Sequence, residues 1–124
     1  MMQTGDAITW FEIPVRDLNR AVTFYTTILG IDLQVTNLMG VPHALFPVTE
    51  TGVSGALTQR RDVKPAEHGT RVYLRVDGDI NNALSKVEHA GGRVLTPKTS
   101  LGEEGFYGVI RDSEGNAIGL HSPR

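Results

Sequence analysis

Residues 17–21 read DLNRA and residues 79–83 read DINNA, an offset of 62 in a chain of 124 residues. Gly30 and Gly92 recur at that offset, and SGAL at 54–57 is answered by AIGL at 117–120 at an offset of 63. A half-length repeat constrains the fold strongly, because each copy is one supersecondary unit that cannot bury its apolar face alone. The drift of one residue is what a small insertion in a turn produces.

Apolar periodicity gives the same order of elements in each copy. ITWFEIPV alternates as a strand, with Phe11, Ile13 and Val15 on one face and Trp10 and Glu12 on the other. Asp17 then caps a helix on which Leu18, Ala21, Val22, Tyr25, Ile28 and Leu29 recur at helical spacing before Gly30 ends it. DLQVTNLM, HALFPVT and VSGALTQ follow as three strands, separated by Gly40 with Pro42 and by the ETG turn. After the polar linker RRDVKPAEHG, TRVYLRVD alternates again. Asp79 caps a second helix with Ile80, Ala83, Leu84 and Val87 inward and Gly91 and Gly92 at its end. RVLTPKT, GFYGVIRD and NAIGLHS close the chain. The expected class is α+β, a single domain of two tandem βαβββ modules at about 7–60 and about 70–122, joined by a linker at about 60–69.

Composition narrows the function classes. With 40% hydrophobic and 21% charged residues the chain can bury a real core. A formal net charge of −2 leaves no basic footprint for nucleic acid. The absence of cysteine removes disulfides, thiolate chemistry and zinc–thiolate sites. No stretch approaches the roughly 18 apolar residues of a membrane span, and MMQTGDAITWFEI lacks a basic region followed by a long apolar run. A cytoplasmic protein with neither nucleic-acid nor membrane partners is the expectation.

The doubled βαβββ, the segment VRDLNRAVTFYTTILGIDL, the GGRVLTP after the second helix and the closing DSEGNAIGL together resemble the vicinal oxygen chelate superfamily of glyoxalase I, bleomycin resistance proteins and extradiol dioxygenases. The similarity runs over essentially the whole chain. It implies a cupped, barrel-like mixed sheet with helices outside and a small-molecule cavity within. In metal-using members, the first and fourth strands of each module supply His, Glu or Gln ligands to a divalent ion. Matched to those places, this chain carries Trp10, Ala56, Arg71 and Gly119. None donates to a cation: an indole N–H and a guanidinium offer no free lone pair, and Arg71 repels the ion. No cofactor is expected there, and a divalent metal only at a displaced site.

Strand parity adds a reading independent of that resemblance. If Phe11, Ile13, Val15, Val72, Leu74, Val76, Ile118 and Leu120 meet the helices, the opposite face carries Trp10, Glu12, Ala56, Thr58, Arg71, Tyr73, Arg75, Gly119 and His121. Polar groups then stand two residues beyond the family's ligand positions, at Glu12, Thr58, Tyr73 and His121, a step of about 6.6 Å at roughly 3.3 Å per residue. Gly119 leaves open space in this cup. Trp10, Tyr73 and Tyr107 read as pocket walls, and His43 opens a strand whose parity Pro47 obscures. Glu12 reads equally as a strand carboxylate paired with Arg71 or Arg75, and His121 as a solvated residue near the end of the chain. His68 and His89 are expected at the surface. DSEG is a turn rather than a calcium loop, since further ligand positions are missing.

Two functions follow. One is a metal-free protein, similar to the bleomycin resistance branch, that binds a small organic molecule on the concave sheet through Trp10, His43, Thr58, Arg71, Tyr73, Tyr107 and Gly119. The alternative is a lyase- or isomerase-type enzyme of the glyoxalase family, metal-dependent or metal-free, with Glu12 as general base and His121 as acid/base or displaced ligand. A homodimer is expected, since cupped sheets on so short a chain leave apolar edges to cover.

Overall fold

A computed structural model describes residues 5–124; residues 1–4, on which the leaderless reading of the N-terminus partly rests, lie outside the described residues. The first module runs β1 (Trp10–Pro14), α1 (Leu18–Leu29), β2 (Gln34–Leu38), β3 (Val41–Leu45) and β4 (Ser54–Thr58). The second runs β5 (Tyr73–Arg75), α2 (Asn81–Leu84), β6 (Arg93–Ser100), a 3₁₀ turn at Gly102–Glu104, β7 (Phe106–Arg111) and β8 (Ala117–Ser122). Strand order repeats as well, β1-β4-β3-β2 and β5-β8-β7-β6. In each sheet the first and last strands of the module pair parallel and the remaining pairs are antiparallel. The sheets are two separate four-stranded units, curved but not closed into a barrel.

Local chemistry explains where the elements start and stop. Asp17 Oδ1 accepts the Arg20 N–H at 3.0 Å, and Gly30 ends α1 in the left-handed region at φ 64°. The inward stripe of α1 is broader than its spacing suggests, because Phe24 is buried together with Leu18, Ala21, Tyr25 and Ile28. Phe24 faces the second module, where a side chain on Gly92 would collide with its ring. Met39 and Gly40, both at positive φ, make the β2–β3 hairpin, so Pro42 lies within β3 instead of in the turn.

The second helix is far shorter than its apolar spacing predicts. Asp79 does accept the Asn81 N–H at 2.8 Å, but beyond Leu84 the chain continues through a mixture of short and long turns, such as Lys86 N–H to Ala83 O and Ala90 N–H to Lys86 O. Asn81, Asn82 and Ser85 are weak helix formers, and the segment is held by its buried side chains. Ile80, Ala83, Leu84 and Val87 all face the core as expected. The strand TRVYLRVD likewise narrows to Tyr73–Arg75, with single bonds from Gly119 N–H to Val72 O and from Val76 N–H to His121 O extending its ladder.

One apolar cluster spans both modules, from Ile13, Val15 and Leu57 through Tyr25 and Phe24 to Leu74, Ile110 and Leu120. Edge-on rings tie it together, with Phe24 and Tyr25 centroids 5.1 Å apart and Tyr25 and Phe46 6.0 Å apart. The DSEGN turn between β7 and β8 clasps this core, with Asp112, Glu114 and Asn116 buried. Tyr25 donates its hydroxyl to Asp112 at 2.6 Å. Glu114 accepts the backbone N–H groups of Arg16 and Asp17 and a two-point bond from Arg20. No helix among the described residues is long and apolar enough to cross a membrane.

Candidate functional site

Each sheet turns one face to the apolar core, and the opposite face is accessible only in part, with Trp10 and Tyr73 exposed and Ala56, Thr58 and His43 buried. On the first sheet, register places Glu12 beside Ala56, Pro14 beside Thr58, and Thr58 beside His43. Glu12 is engaged on both oxygens: Oε1 accepts Arg60 at 2.9 Å and Oε2 accepts the Trp10 indole N–H at 3.1 Å. Its cationic partner is therefore the linker's Arg60, in place of Arg71 or Arg75. Arg60 also grips Asp62, whose bond and then Glu12's raise the guanidinium pKa further above its ordinary value.

His43 lies on this same face and is buried. A carbonyl only accepts, so its Nδ1 donates to Val41 O at 2.8 Å, which leaves Nε2 toward Glu12 Oε2 at 3.8 Å. Thr58 is wholly buried and its hydroxyl meets no partner among the described residues, so it lies in the interior and not in an accessible wall. Trp10 is 42% exposed.

The second sheet carries an open hollow of about 450 Å³ walled by Arg71, Tyr73, Thr96, Leu101, Tyr107, Val109 and His121. Tyr73 pairs with Gly119 and Arg75 with His121 across β5 and β8, while Tyr107 faces His121 across β7 and β8. The ring of Tyr73 covers Gly119, so that a side chain there would fall within the ring. The expected empty space at Gly119 is thus occupied: this glycine admits an aromatic ring flat onto the sheet. His121 Nε2 donates to Glu104 O at 2.7 Å, which ties β8 to the 3₁₀ turn.

The second ring expected from parity is consequently divided. The polar neighbours of Glu12 come from the first module and the linker, whereas the hollow lined by His121 takes all its walls from the second. Glu12 and His121 thus stand on different sheets and have no hydrogen-bond partner in common. The donor set does not suit a resident metal either. Trp10 spends its N–H on Glu12, Arg71 is a cation, Ala56 is buried, and Gly119 is covered. Among the described residues no three His, Asp or Glu side chains gather as ligands.

Sequence reading missed Thr96, Leu101 and Val109. Val109 follows from Tyr107 by simple alternation. Thr96 does not, because the β6–β7 register shifts between Val94 and Thr96, so that one residue joins the core and the other lines the hollow despite equal parity. Leu101 arrives through the 3₁₀ turn, for which the periodicity gives no sign.

The protein can also be compared with known ones. CFP32 of Mycobacterium bovis, provisionally named a glyoxylase, is 26% identical over 119 residues, covering 90% of this chain and 43% of CFP32. The chain thus spans less than half the length of that curated relative. TnmS3, an antibiotic binding protein from Streptomyces sp. CB03234, superimposes with a TM-score of 0.72 at 24% identity, covering 99% of this chain and 100% of that one. A glyoxalase/bleomycin resistance protein from Albidiferax ferrireducens T118 gives a TM-score of 0.70 at 14% identity, covering 94% and 98%. Both superpositions speak to the fold. The family profile covers residues 7–120, nearly the whole doubled module, and on that match the chain belongs to the Glyoxalase/Bleomycin resistance protein/Dioxygenase superfamily.

Proposed function

We propose that this protein binds a small organic molecule on the open face of its second sheet, without a metal at the family's usual positions, and that it does so as a homodimer. The observation that carries this reading is the hollow of about 450 Å³, within the size range of small-molecule sites, whose walls combine two tyrosines and two aliphatic side chains with few polar groups. The antibiotic-binding description of TnmS3, a protein of the same fold, agrees with this reading. The enzyme alternative needs Glu12 and His121 to act together. It is disfavoured by Glu12 being bonded on both oxygens and by His121 standing on the other sheet.

The test is a thermal-shift screen of planar organic compounds, paired with metal analysis of the native chain, Glu12→Gln and His121→Ala. A ligand that binds the folded state raises its melting temperature by mass action, by several degrees at about 100 times Kd. The expected result is such a shift in the native chain and in Glu12→Gln, and its loss in Tyr73→Ala. Stoichiometric nickel, zinc, manganese or iron that either variant loses would overturn the metal-free reading. Turnover of a bound compound that vanishes in the same variants would establish the enzyme.

A further inference from the structure

The hollow on the second sheet has a charge that its shape alone does not require. Of the side chains in its wall, Arg71 is a permanent cation, and no carboxylate lines it. Arg71 forms no ion pair or side-chain hydrogen bond among the described residues, although four other basic residues, Arg20, Arg60, Lys98 and Arg111, do find carboxylates. Glu103 and Glu104 line an adjoining hollow together with Arg75, and that hollow shares the Tyr73 and His121 walls. In a chain of net charge −2, a wall that holds a cation and no carboxylate is a local arrangement and not a reflection of composition.

The rest of the wall selects for shape. Tyr73 is 51% exposed, with one side of its ring against Gly119. Tyr107 is half-buried, and the hydroxyls of both tyrosines are without hydrogen-bond partners among the described residues. Leu101 and Val109 supply aliphatic surface. Rings stack favourably on such aromatic walls, and a guanidinium is a planar fork of N–H donors that matches a carboxylate or sulfonate at two points.

We propose that the hollow takes a planar aromatic anion, its ring system against Tyr73 and Tyr107 and its acidic group on Arg71. This assignment rests on the small-molecule reading above and adds the chemical class of the ligand. His121, held by Glu104 O, belongs to the rigid part of the wall, and Thr96 borders it from β6.

Two fluorescent probes separate the assignment from the reading beneath it. Anilinonaphthalene sulfonate carries an anion, and N-phenylnaphthylamine is the same ring framework without one. The expected result is saturable binding of both to the native chain, with the sulfonate about tenfold tighter, as one charge-assisted pair provides. Arg71→Gln then lowers sulfonate affinity about tenfold to the level of the neutral probe and leaves the neutral probe unchanged. Arg71→Lys gives an intermediate value, and Tyr73→Ala weakens both probes. Equal affinity for the two probes, unmoved by Arg71→Gln, would overturn the anion assignment while leaving a small-molecule site in place. Failure of both probes to bind the native chain would overturn the site itself and the anion with it.

Discussion

Gly119 and Tyr73 act as one unit. The two residues pair across β5 and β8, and the ring of Tyr73 lies across the glycine. Any side chain at 119 has to lift that ring. Tyr73 is half exposed and free to swing outward, so Gly119→Ala is expected to cost about 1 to 2 kcal/mol, the range of a modest overpacking. Urea denaturation measures it. The cost should fall below about 0.5 kcal/mol when the same change is made on a Tyr73→Ala background, because the double substitution removes the clash. An unchanged cost there would place the strain in the strand backbone.

At the level of elements, the clasp between α1 and the β7–β8 turn is built around a buried carboxylate, Glu114. Burial alone would raise the pKa of Glu114, but hydrogen bonds from Arg20, from the backbone of Asp17 and Arg16, and from Ser113 outweigh it and hold the carboxyl at about 2 against an ordinary 4.5. A pKa depressed in the folded state gives stability that is present above the unfolded pKa and is lost as pH falls from about 4.5 through about 2. Glu114→Gln is expected to lose about 2 kcal/mol at neutral pH, since the amide cannot accept every bond the carboxylate does. The gap between variant and native chain should narrow as pH falls toward 3 in urea titrations. A gap independent of pH would mean that the carboxylate's charge contributes nothing. Tyr25, at the other end of the clasp, is pushed well above its ordinary pKa by burial first and then by Asp112. It stays a neutral donor throughout this range.

At the scale of the whole molecule, the first sheet presents a face with exposed apolar groups, Trp10 and Leu38, away from the proposed ligand hollow. β1 and β5 each have one edge without a strand neighbour among the described residues. Two copies that cover such faces would bury the apolar area that one copy leaves in water. Light scattering at micromolar concentration should therefore return twice the mass of the chain, and Trp10→Lys should shift it toward the monomer. A monomer at that concentration overturns the dimer.

The sequence by itself determined what depends on local periodicity and on repetition. The doubled βαβββ order, the caps of α1 at Asp17 and Gly30, and the core faces of the first, fifth and eighth strands all follow from residue type and spacing. Only the tertiary structure decided which of those faces share a space. It gave Glu12 to Arg60 instead of Arg71 or Arg75, tied His121 to the 3₁₀ turn, laid Tyr73 over Gly119, and brought Thr96 into the hollow through a shifted register. The physical reason is that strand parity assigns a side chain to a face of its own sheet. How two sheets lie about a common core depends on long-range packing and on single-residue bulges, and neither leaves a period in the sequence.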